Sequence, residues 1–269
     1  MIYLLNEIIN ITKLAGVEVL KVYSNNTIST SIKNDHTPIT NADIISHKLI
    51  VNRIKKITPN IPIVSEESYS DNSSKEEDIY WLVDPIDGTE GFIKRNDHYT
   101  INIALIIENI PTLGVVYAPS LNELFFAKKN YGAFKVKNNV FKRLINDNIQ
   151  QPTTWKVLSS KINSVEYDNL EKQLSNLGNY QISKLSSSIK ICRIAEGSYH
   201  LYIRLHPTSQ WDIAAAHCIA SEANTSIVQP NGNGIQYSLT KSILNPKFIV
   251  VSNKLKETAL KCFLKRDYI

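Results

Sequence analysis

Across 269 residues the chain carries 30 Lys and Arg against 25 Asp and Glu, a formal net charge of +5, with 43% hydrophobic and 20% charged residues. That balance excludes a disordered or fibrous chain, and no apolar run reaches the ~20 residues that a membrane helix needs. The basic residues are dispersed, which argues against polymeric nucleic acid and suits a small anionic ligand equally well.

Leu4, Leu5, Ile8, Ile9, Ile11, Leu14, Ala15 and Val19 recur at helical spacing, so an amphipathic helix is expected over 2–23. No basic segment precedes that apolar stretch and Glu7 lies inside it, which argues against a secretion signal. Residues 24–38 are polar and read as a loop. A second helix is expected from Thr40 to about Ile57, stopped by Thr58-Pro59-Asn60. Ile61 to Ser65 reads as a short strand ending on Glu66-Glu67, 68–78 as a solvated loop, and Ile79 to Asp84 as a buried strand. Beyond it, 99–108, 113–118, 123–128 and 133–137 are β-rich runs separated by turn residues, the pattern of an antiparallel meander. The polar stretch Asn146 to Thr154, with Pro152, marks a boundary between halves 1–150 and 151–269. The second half alternates: strand 155–159, helix 165–177, strand 180–185, helix 187–196, strand 199–204, helix 212–223, strands 226–229 and 248–252, helix 253–265. Such alternation argues α/β layering. Cys192, Cys218 and Cys262 are odd in number and form no CxxC, which reads as reduced thiols of a cytosolic protein.

The chemistry concentrates in Trp81-Leu-Val-Asp84-Pro85-Ile86-Asp87-Gly88-Thr89. An Asx-turn with Pro85 fixing φ and Gly88 at positive φ accounts for one acid. It leaves the second acid unexplained, together with the apolar strand that delivers both to a sheet end. A divalent cation would turn their repulsion into attraction, and hard carboxylate oxygens point to Mg²⁺. Glu66-Glu67 ends another strand-like run; if the two strands are neighbours, the four acids share one edge. Asp212, ahead of Ile213-Ala-Ala-Ala216, reads equally as a helix N-cap and as a group beside a phosphate at a helix N-terminus. Asp43, three residues after Thr40, reads locally as half of a capping box. His47 and His217 each sit inside a helix beside apolar residues and read as core or surface histidines. No HExxH, GxSxG or Walker pattern occurs.

Asp84-Pro-Ile-Asp-Gly-Thr89, the upstream Glu pair and Trp211-Asp212 before an Ala-rich helix together resemble the inositol-monophosphatase superfamily of Mg²⁺-dependent, lithium-sensitive phosphatases. The longer phrase through Phe92-Ile-Lys-Arg-Asn96 and Tyr99-Thr-Ile-Asn-Ile-Ala-Leu105 is similar to its branch of bacterial 3′(2′),5′-bisphosphate nucleotidases. Leu113-Gly-Val-Val-Tyr-Ala-Pro119, Ser187-Ser-Ile-Lys-Ile-Cys192, Ala195-Glu-Gly197 and Leu244-Asn-Pro-Lys-Phe248 extend the likeness over nearly the whole chain.

The resemblance implies an α-β-α-β-α sandwich with its site where the two halves meet. It implies two or three Mg²⁺ held by Glu66, Asp84, the Ile86 carbonyl, Asp87 and Asp212, with Thr89 and Asp43 orienting and deprotonating the attacking water. Glu67 would stand behind these ligands. Substrate contacts would come from the same ligand residues and from Gly88, Thr89, Ser188, Lys190 and Arg204, the last two for the phosphate that is not cleaved. The implied reaction is hydrolysis of adenosine 3′,5′-bisphosphate to AMP and phosphate by a cytoplasmic monomer or homodimer, free or peripheral on the inner membrane. An inositol- or sugar-phosphate phosphatase and a non-catalytic metal- or nucleotide-binding regulator are the alternatives. One departure stands out: the nucleotidases tend to carry Ser-Arg-Ser-His where this chain reads Ser159-Ser160-Lys161-Ile162.

Overall fold

The computed structural model describes residues 2–25, 27–33, 37–70, 77–147, 149–160 and 164–261, apart from the side chains of 164–167. Helices α1 (Ile2–Ser24) and α2 (Asn41–Ile57) are separated by a hairpin of β1 (Thr30–Ile32) and β2 (Pro38–Thr40). Seven strands then form one sheet in chain order: β3 (Ile63–Ser65), β4 (Ile79–Asp87), β5 (Thr100–Ile107), β6 (Ile110–Ala118), β7 (Glu123–Lys128), β8 (Gly132–Lys137) and β9 (Val140–Leu144). Helix α3 (Thr89–Ile93) lies between β4 and β5. A five-stranded sheet holds β10 (Trp155–Ser159), β11 (Tyr180–Lys184), β12 (Leu201–Arg204), β13 (Thr225–Val228) and β14 (Phe248–Ser252), in the spatial order β11-β10-β12-β14-β13. Helices α4 (Ser164–Leu174), α5 (Ile189–Ala195), α6 (Gln210–Glu222) and α7 (Lys256–Leu260) accompany it.

Alternating side chains assign the layers. On β4, Trp81 and Val83 pack with Leu5, Ile8 and Ala15 of α1 and Ile50 and Ile54 of α2, while Tyr80 and Leu82 pack with Ala214, Cys218 and Ile219 of α6. On β14, Phe248 and Val250 join that same central core, while Ile249 and Val251 meet Leu170 of α4 and Ala259 of α7 on the outer side. Both faces of β4 and of β14 are therefore covered, which is why these two strands read as unbroken apolar runs. The result is an α-β-α-β-α sandwich with α5 and α6 in its middle layer. Gly114 permits the closest approach in that layer, because a Cβ there would run into the Ala215 carbonyl of α6.

A buried ionic knot fastens α5 to the meander. Glu123 on β7 meets Lys137 at 2.7 Å, Arg193 at 2.6 Å and Lys135 at 3.2 Å, and Glu196 joins Lys135 and Arg193 at 2.6 and 2.8 Å. Burial alone would raise the Glu123 carboxyl, but these three cations hold it down to about 2.

The structure departs from the expected elements in identifiable places. The 24–38 stretch contains β1 and the start of β2, whose side chains are mostly exposed and so give no apolar alternation. Strand β9 is a fifth meander strand with a mostly exposed pattern. Strand β4 runs on past Asp84 to Asp87 through a register shift. Helix α6 is capped by Ser209, so Asp212 occupies its third position rather than the cap. At the C-terminal end a 3₁₀ turn at Asn253–Leu255 precedes α7, and the expected extent to 265, like Cys262, lies outside the described residues. Among the described residues no helix is long and apolar enough to cross a membrane.

Candidate functional site

β3 and β4 run parallel with Ser65 opposite Val83, so Glu66 leaves its strand at the level where Asp84 sits on the next one. Pro85 and Ile86 fall in the register shift between Asp84 and Asp87. That bulge turns the strand end, Gly88 takes φ 92°, and α3 starts at Thr89. The Ile86 N–H donates to Asp84 Oδ1 at 3.1 Å, and the Ser46 hydroxyl holds the Pro85 carbonyl at 2.9 Å. The Asx-turn therefore exists, and it leaves Asp87 to do something else.

Asp43 serves two partners. Its Oδ2 closes the capping box on Thr40, accepting the Thr40 N–H at 2.8 Å, while its Oδ1 lies 3.2 Å from the Thr89 hydroxyl. The same hydroxyl is 3.1 Å from the Ile86 carbonyl. A hydroxyl has one hydrogen, so Thr89 donates to one of these acceptors at a time and keeps lone pairs for another donor. Asp212 is likewise half cap: its Oδ2 accepts the Ser209 N–H at 2.8 Å. Trp211 packs edge-on to Tyr69 with centroids 5.2 Å apart, bringing the Asp212 segment beside the one bearing Glu66. Asp87 accepts the Ser188 N–H from the start of α5. The Ser188 hydroxyl donates to Asn102 at 2.8 Å and meets Thr100 at 2.9 Å.

Four chain segments, at 43, 66, 84–89 and 212, thus bring their acids close enough to perturb one another. Asp84 is 1% exposed, and burial followed by the charges of Glu66, Asp87 and Asp212 pushes its carboxyl well above the usual carboxylate range. Burial and then Asp87 and Glu66 do the same to Asp212. Asp87 is pushed up to about 6 by burial, against the pull of Lys190 and the Ser188 N–H. Burial also raises Asp43. Glu67 rises to about 7 through burial, opposed by Lys33. The cations within reach include Lys33, 2.7 Å from Glu66 and 2.8 Å from Glu67, Lys190, which burial lowers to about 8, and Arg204, which pulls against the rise of Asp212.

No three Asp, Glu, His or Cys side chains of the described residues are drawn in around a single point at ligating distance. Each acid instead holds an in-chain donor: Glu66 has Lys33, Asp84 the Ile86 N–H, Asp87 the Ser188 N–H and Asp212 the Ser209 N–H. The donor set is nonetheless all hard oxygen, largely withdrawn from solvent, mutually repelling and under-compensated, which fits a hard divalent cation such as Mg²⁺. A stability consequence follows. An acid whose folded pKa exceeds its unfolded value binds its proton more tightly in the fold, so its ionisation destabilises the fold as pH rises between the two values. The metal-free protein should therefore lose melting temperature from about pH 5 to about pH 7, through Asp87 and Glu67 first. Saturating Mg²⁺ should flatten that slope. Melting curves in EDTA and in Mg²⁺ across this range check it; a rising EDTA curve would contradict the reading of the acids.

On the substrate side, Lys190 is 5% exposed; its Nζ donates to the Ser187 carbonyl at 2.7 Å and lies 5.2 Å over the Tyr202 ring. Arg204 closes the end of β12. Its guanidinium donates to Ser160 Oγ at 2.9 Å and to the His206 and Pro207 carbonyls at 3.0 and 3.2 Å. It lines a crevice with Ser159, Ser160, Leu170 and His206 at the carboxyl ends of the parallel strands β10 and β12, where open α/β sheets take ligands. Lys161 and Ile162, where the departure from the nucleotidase pattern falls, lie outside the described residues.

Lys94, Arg95 and Asn96 each have a local partner. Lys94 pairs with Glu90 on the surface, Arg95 stacks 4.9 Å over Tyr23 and donates to its carbonyl, and Asn96 accepts the His98 N–H at 3.0 Å. His47 Nδ1 meets Ser65 Oγ at 2.8 Å; His217 meets the Tyr237 hydroxyl at 2.9 Å, and burial lowers it to about 4. Sequence reasoning missed Lys33, Ser46 and Asn102. Asn102 had a signal, a single amide inside an otherwise apolar strand; Lys33, one base in a polar stretch, had none.

The inositol monophosphatase family model matches residues 4–265. The chain is 38% identical over 249 residues to the 3′(2′),5′-bisphosphate nucleotidase CysQ of Salmonella typhimurium, covering 92% of this chain and 99% of that one. It is 36% identical over 242 residues to the CysQ of Buchnera aphidicola, covering 89% of each. The crystal structure of CysQ from Bacteroides thetaiotaomicron superposes with a TM-score of 0.78 at 29% identity, over 93% of this chain and 97% of that one. A Thermotoga maritima IMPase, at 22% identity and TM-score 0.81 over 98% and 97%, shares the fold. The chain belongs to the inositol monophosphatase family.

Proposed function

We propose that this chain is a Mg²⁺-dependent 3′(2′),5′-bisphosphate nucleotidase that hydrolyses adenosine 3′,5′-bisphosphate to AMP and phosphate. The observation that carries the reaction class is the buried acid cluster beside the Thr89–Asp43 pair. The likeness to CysQ nucleotidases over 92% of the chain supports the substrate.

Glu66, Asp84, the Ile86 carbonyl, Asp87 and Asp212 would hold the ions, two or three per site. When bound, Mg²⁺ supplies the positive charge that acidifies a water and neutralises the leaving oxygen. The chain's own residues set the proton path. A water beside Thr89 Oγ1 can pass its proton to that oxygen as Thr89 gives its own to Asp43 Oδ1, and burial makes Asp43 a better base than an exposed aspartate. The Gly88 and Thr89 N–H groups, at the positive-φ turn, would be the backbone donors for a phosphate oxygen. The water oxygen bonds to phosphorus, the bond to the 3′-oxygen breaks, and that oxygen takes a proton from solvent to leave as the free hydroxyl, while Asp43 returns its proton to solvent. Ser188, Lys190 and Arg204 would receive the phosphate that is retained.

Comparing kcat/KM on adenosine 3′,5′-bisphosphate and inositol 1-phosphate tests this reading. A preference for the nucleotide of about 100-fold or more is expected, and the reverse preference would replace it with the inositol phosphatase alternative. No phosphate release from any monoester would leave the non-catalytic regulator. Arg204→Met probes the retained phosphate. Losing a charge-assisted hydrogen bond of about 1.5–3 kcal/mol should raise KM for the bisphosphate roughly 10- to 100-fold with kcat kept. The same variant should hydrolyse a 3′-monophosphate, which lacks the second phosphate, as well as the parent does.

A further inference from the structure

Strand β5 buries one amide among apolar side chains. Asn102 is 1% exposed, lies between Ile101 and Ile103, and stands opposite Asp84 on β4. Thr100, two residues earlier and so on the same face, stands opposite Asp87. The Ser188 hydroxyl donates to Asn102 Oδ1 at 2.8 Å; with its single hydrogen used there, it accepts from the Thr100 hydroxyl at 2.9 Å. The backbone N–H of the same Ser188 donates to Asp87. The other end of the amide is unspent: Nδ2 is buried with no hydrogen-bond partner among the described residues. It lies near enough to Asp87 to favour the ionised carboxylate. The opposite amide orientation would turn a carbonyl oxygen toward that carboxylate, so the Ser188 contact and the charge select the same one. A buried donor without a partner is a cost to the fold, and a carboxylate turned to a cation beside it would recover that cost.

We propose that Asn102 is a positioning residue of the metal site: pinned by Ser188 and Thr100, its amide donates to Asp87 when that carboxylate turns to Mg²⁺. The proposal rests on the reading of Asp87 as a ligand. A ligating carboxylate commits one lone pair to the ion and leaves others to be satisfied, and the donors that satisfy them fix its rotation. Backbone pairing cannot do this for Asp87, because the register of β4 shifts between Asp84 and Asp87. The Ser188 N–H, at the start of α5, is one outside donor, and a carboxylate held by one donor can still pivot. Asn102 adds a second from the neighbouring strand, and two donors from two elements set its plane. In this role Asn102 touches neither substrate nor ion and acts through Asp87 alone.

The test uses the whole chain. Melting curves in EDTA and across a Mg²⁺ titration give the metal-free stability and, from the rise in midpoint, the apparent Mg²⁺ affinity. Asn102→Leu keeps the branched shape and removes the donor. Its EDTA midpoint should stay within about 3 °C of the parent, since Nδ2 has no partner to lose and Ser188 keeps Thr100. The Mg²⁺ concentration needed for half of the rise should increase about tenfold. Ser188→Ala is the second variant: it keeps the backbone N–H on Asp87 and removes the hydroxyl that pins the amide. It should weaken Mg²⁺ binding roughly threefold and add nothing further in the double variant, because both changes cut one chain of contacts. Unchanged Mg²⁺ affinity in either variant, or a weaker one in Asn102→Leu accompanied by a fall of the EDTA midpoint beyond that range, overturns the positioning role and leaves the functional reading in place. Absence of any Mg²⁺-induced rise in the parent overturns both.

Discussion

Asp84→Asn should abolish phosphate release from adenosine 3′,5′-bisphosphate, by at least about 10³-fold, while raising the melting temperature of the metal-free protein. The two effects share one cause. Asp84 is 1% exposed at the end of β4, and Glu66, Asp87 and Asp212 all raise its carboxyl. Without a cation its charge is a liability to the fold, and no lysine or arginine forms an ion pair with it among the described residues. Asparagine keeps the shape and can still accept the Ile86 N–H that shapes the turn. It removes the repulsion and, with it, the negative charge that Asp84 would offer to Mg²⁺ in the proposed site. Relief of about 1 kcal/mol would move the midpoint by roughly 2–4 °C in a chain of this size. Enzyme assays and melts in EDTA measure both effects. Residual activity above a tenth of the parent, or a lower melting temperature in EDTA, would show that Asp84 is not a metal ligand of the site.

The elements that were legible in the sequence are those in which burial writes a period. Strand β4 and the meander β5 to β8 have both faces or one face packed, and their apolar runs show it. Strands β1 and β9 escape because their side chains are largely exposed, so their place in the fold depends on backbone pairing that leaves no side-chain pattern. For the acidic turn, the sequence showed two carboxylates with one structural role between them. The structure assigns that role to Asp84 through the Ile86 N–H and hands Asp87 to Ser188, 101 positions away. Asp43 illustrates why local reading underdetermines a site. The capping box and the contact with Thr89 looked like rival readings, yet a carboxylate has two oxygens and Asp43 uses one for each. The phrase Lys94 to Asn96, which helps carry the resemblance, has a local job that its residue types do not announce: Arg95 stacks on Tyr23 and donates to its carbonyl.

The second large effect should come from Thr89→Ala, with kcat lowered about 10²- to 10³-fold at nearly constant KM and Mg²⁺ affinity. The hydroxyl lies 3.2 Å from Asp43 Oδ1 and 3.1 Å from the Ile86 carbonyl, and in the proposed mechanism it passes the water's proton to Asp43. It ligates nothing in the proposed site, so its loss should leave metal binding intact and remove only the step in which the water gives up its proton. The hydrogen bond lost to the fold is of the ordinary ~1 kcal/mol kind and would not unfold the chain. Thr89→Ser restores the oxygen without the methyl and should return kcat to within about tenfold of the parent. Asp43→Asn should mimic the alanine variant in kcat and additionally weaken the cap on α2, since one of its two oxygens also serves Thr40. If Thr89→Ala instead weakened Mg²⁺ binding as much as it slowed turnover, and serine failed to restore it, Thr89 would be a prop for the Ile86 carbonyl. The proton would then have to leave the water by a path that bypasses Asp43.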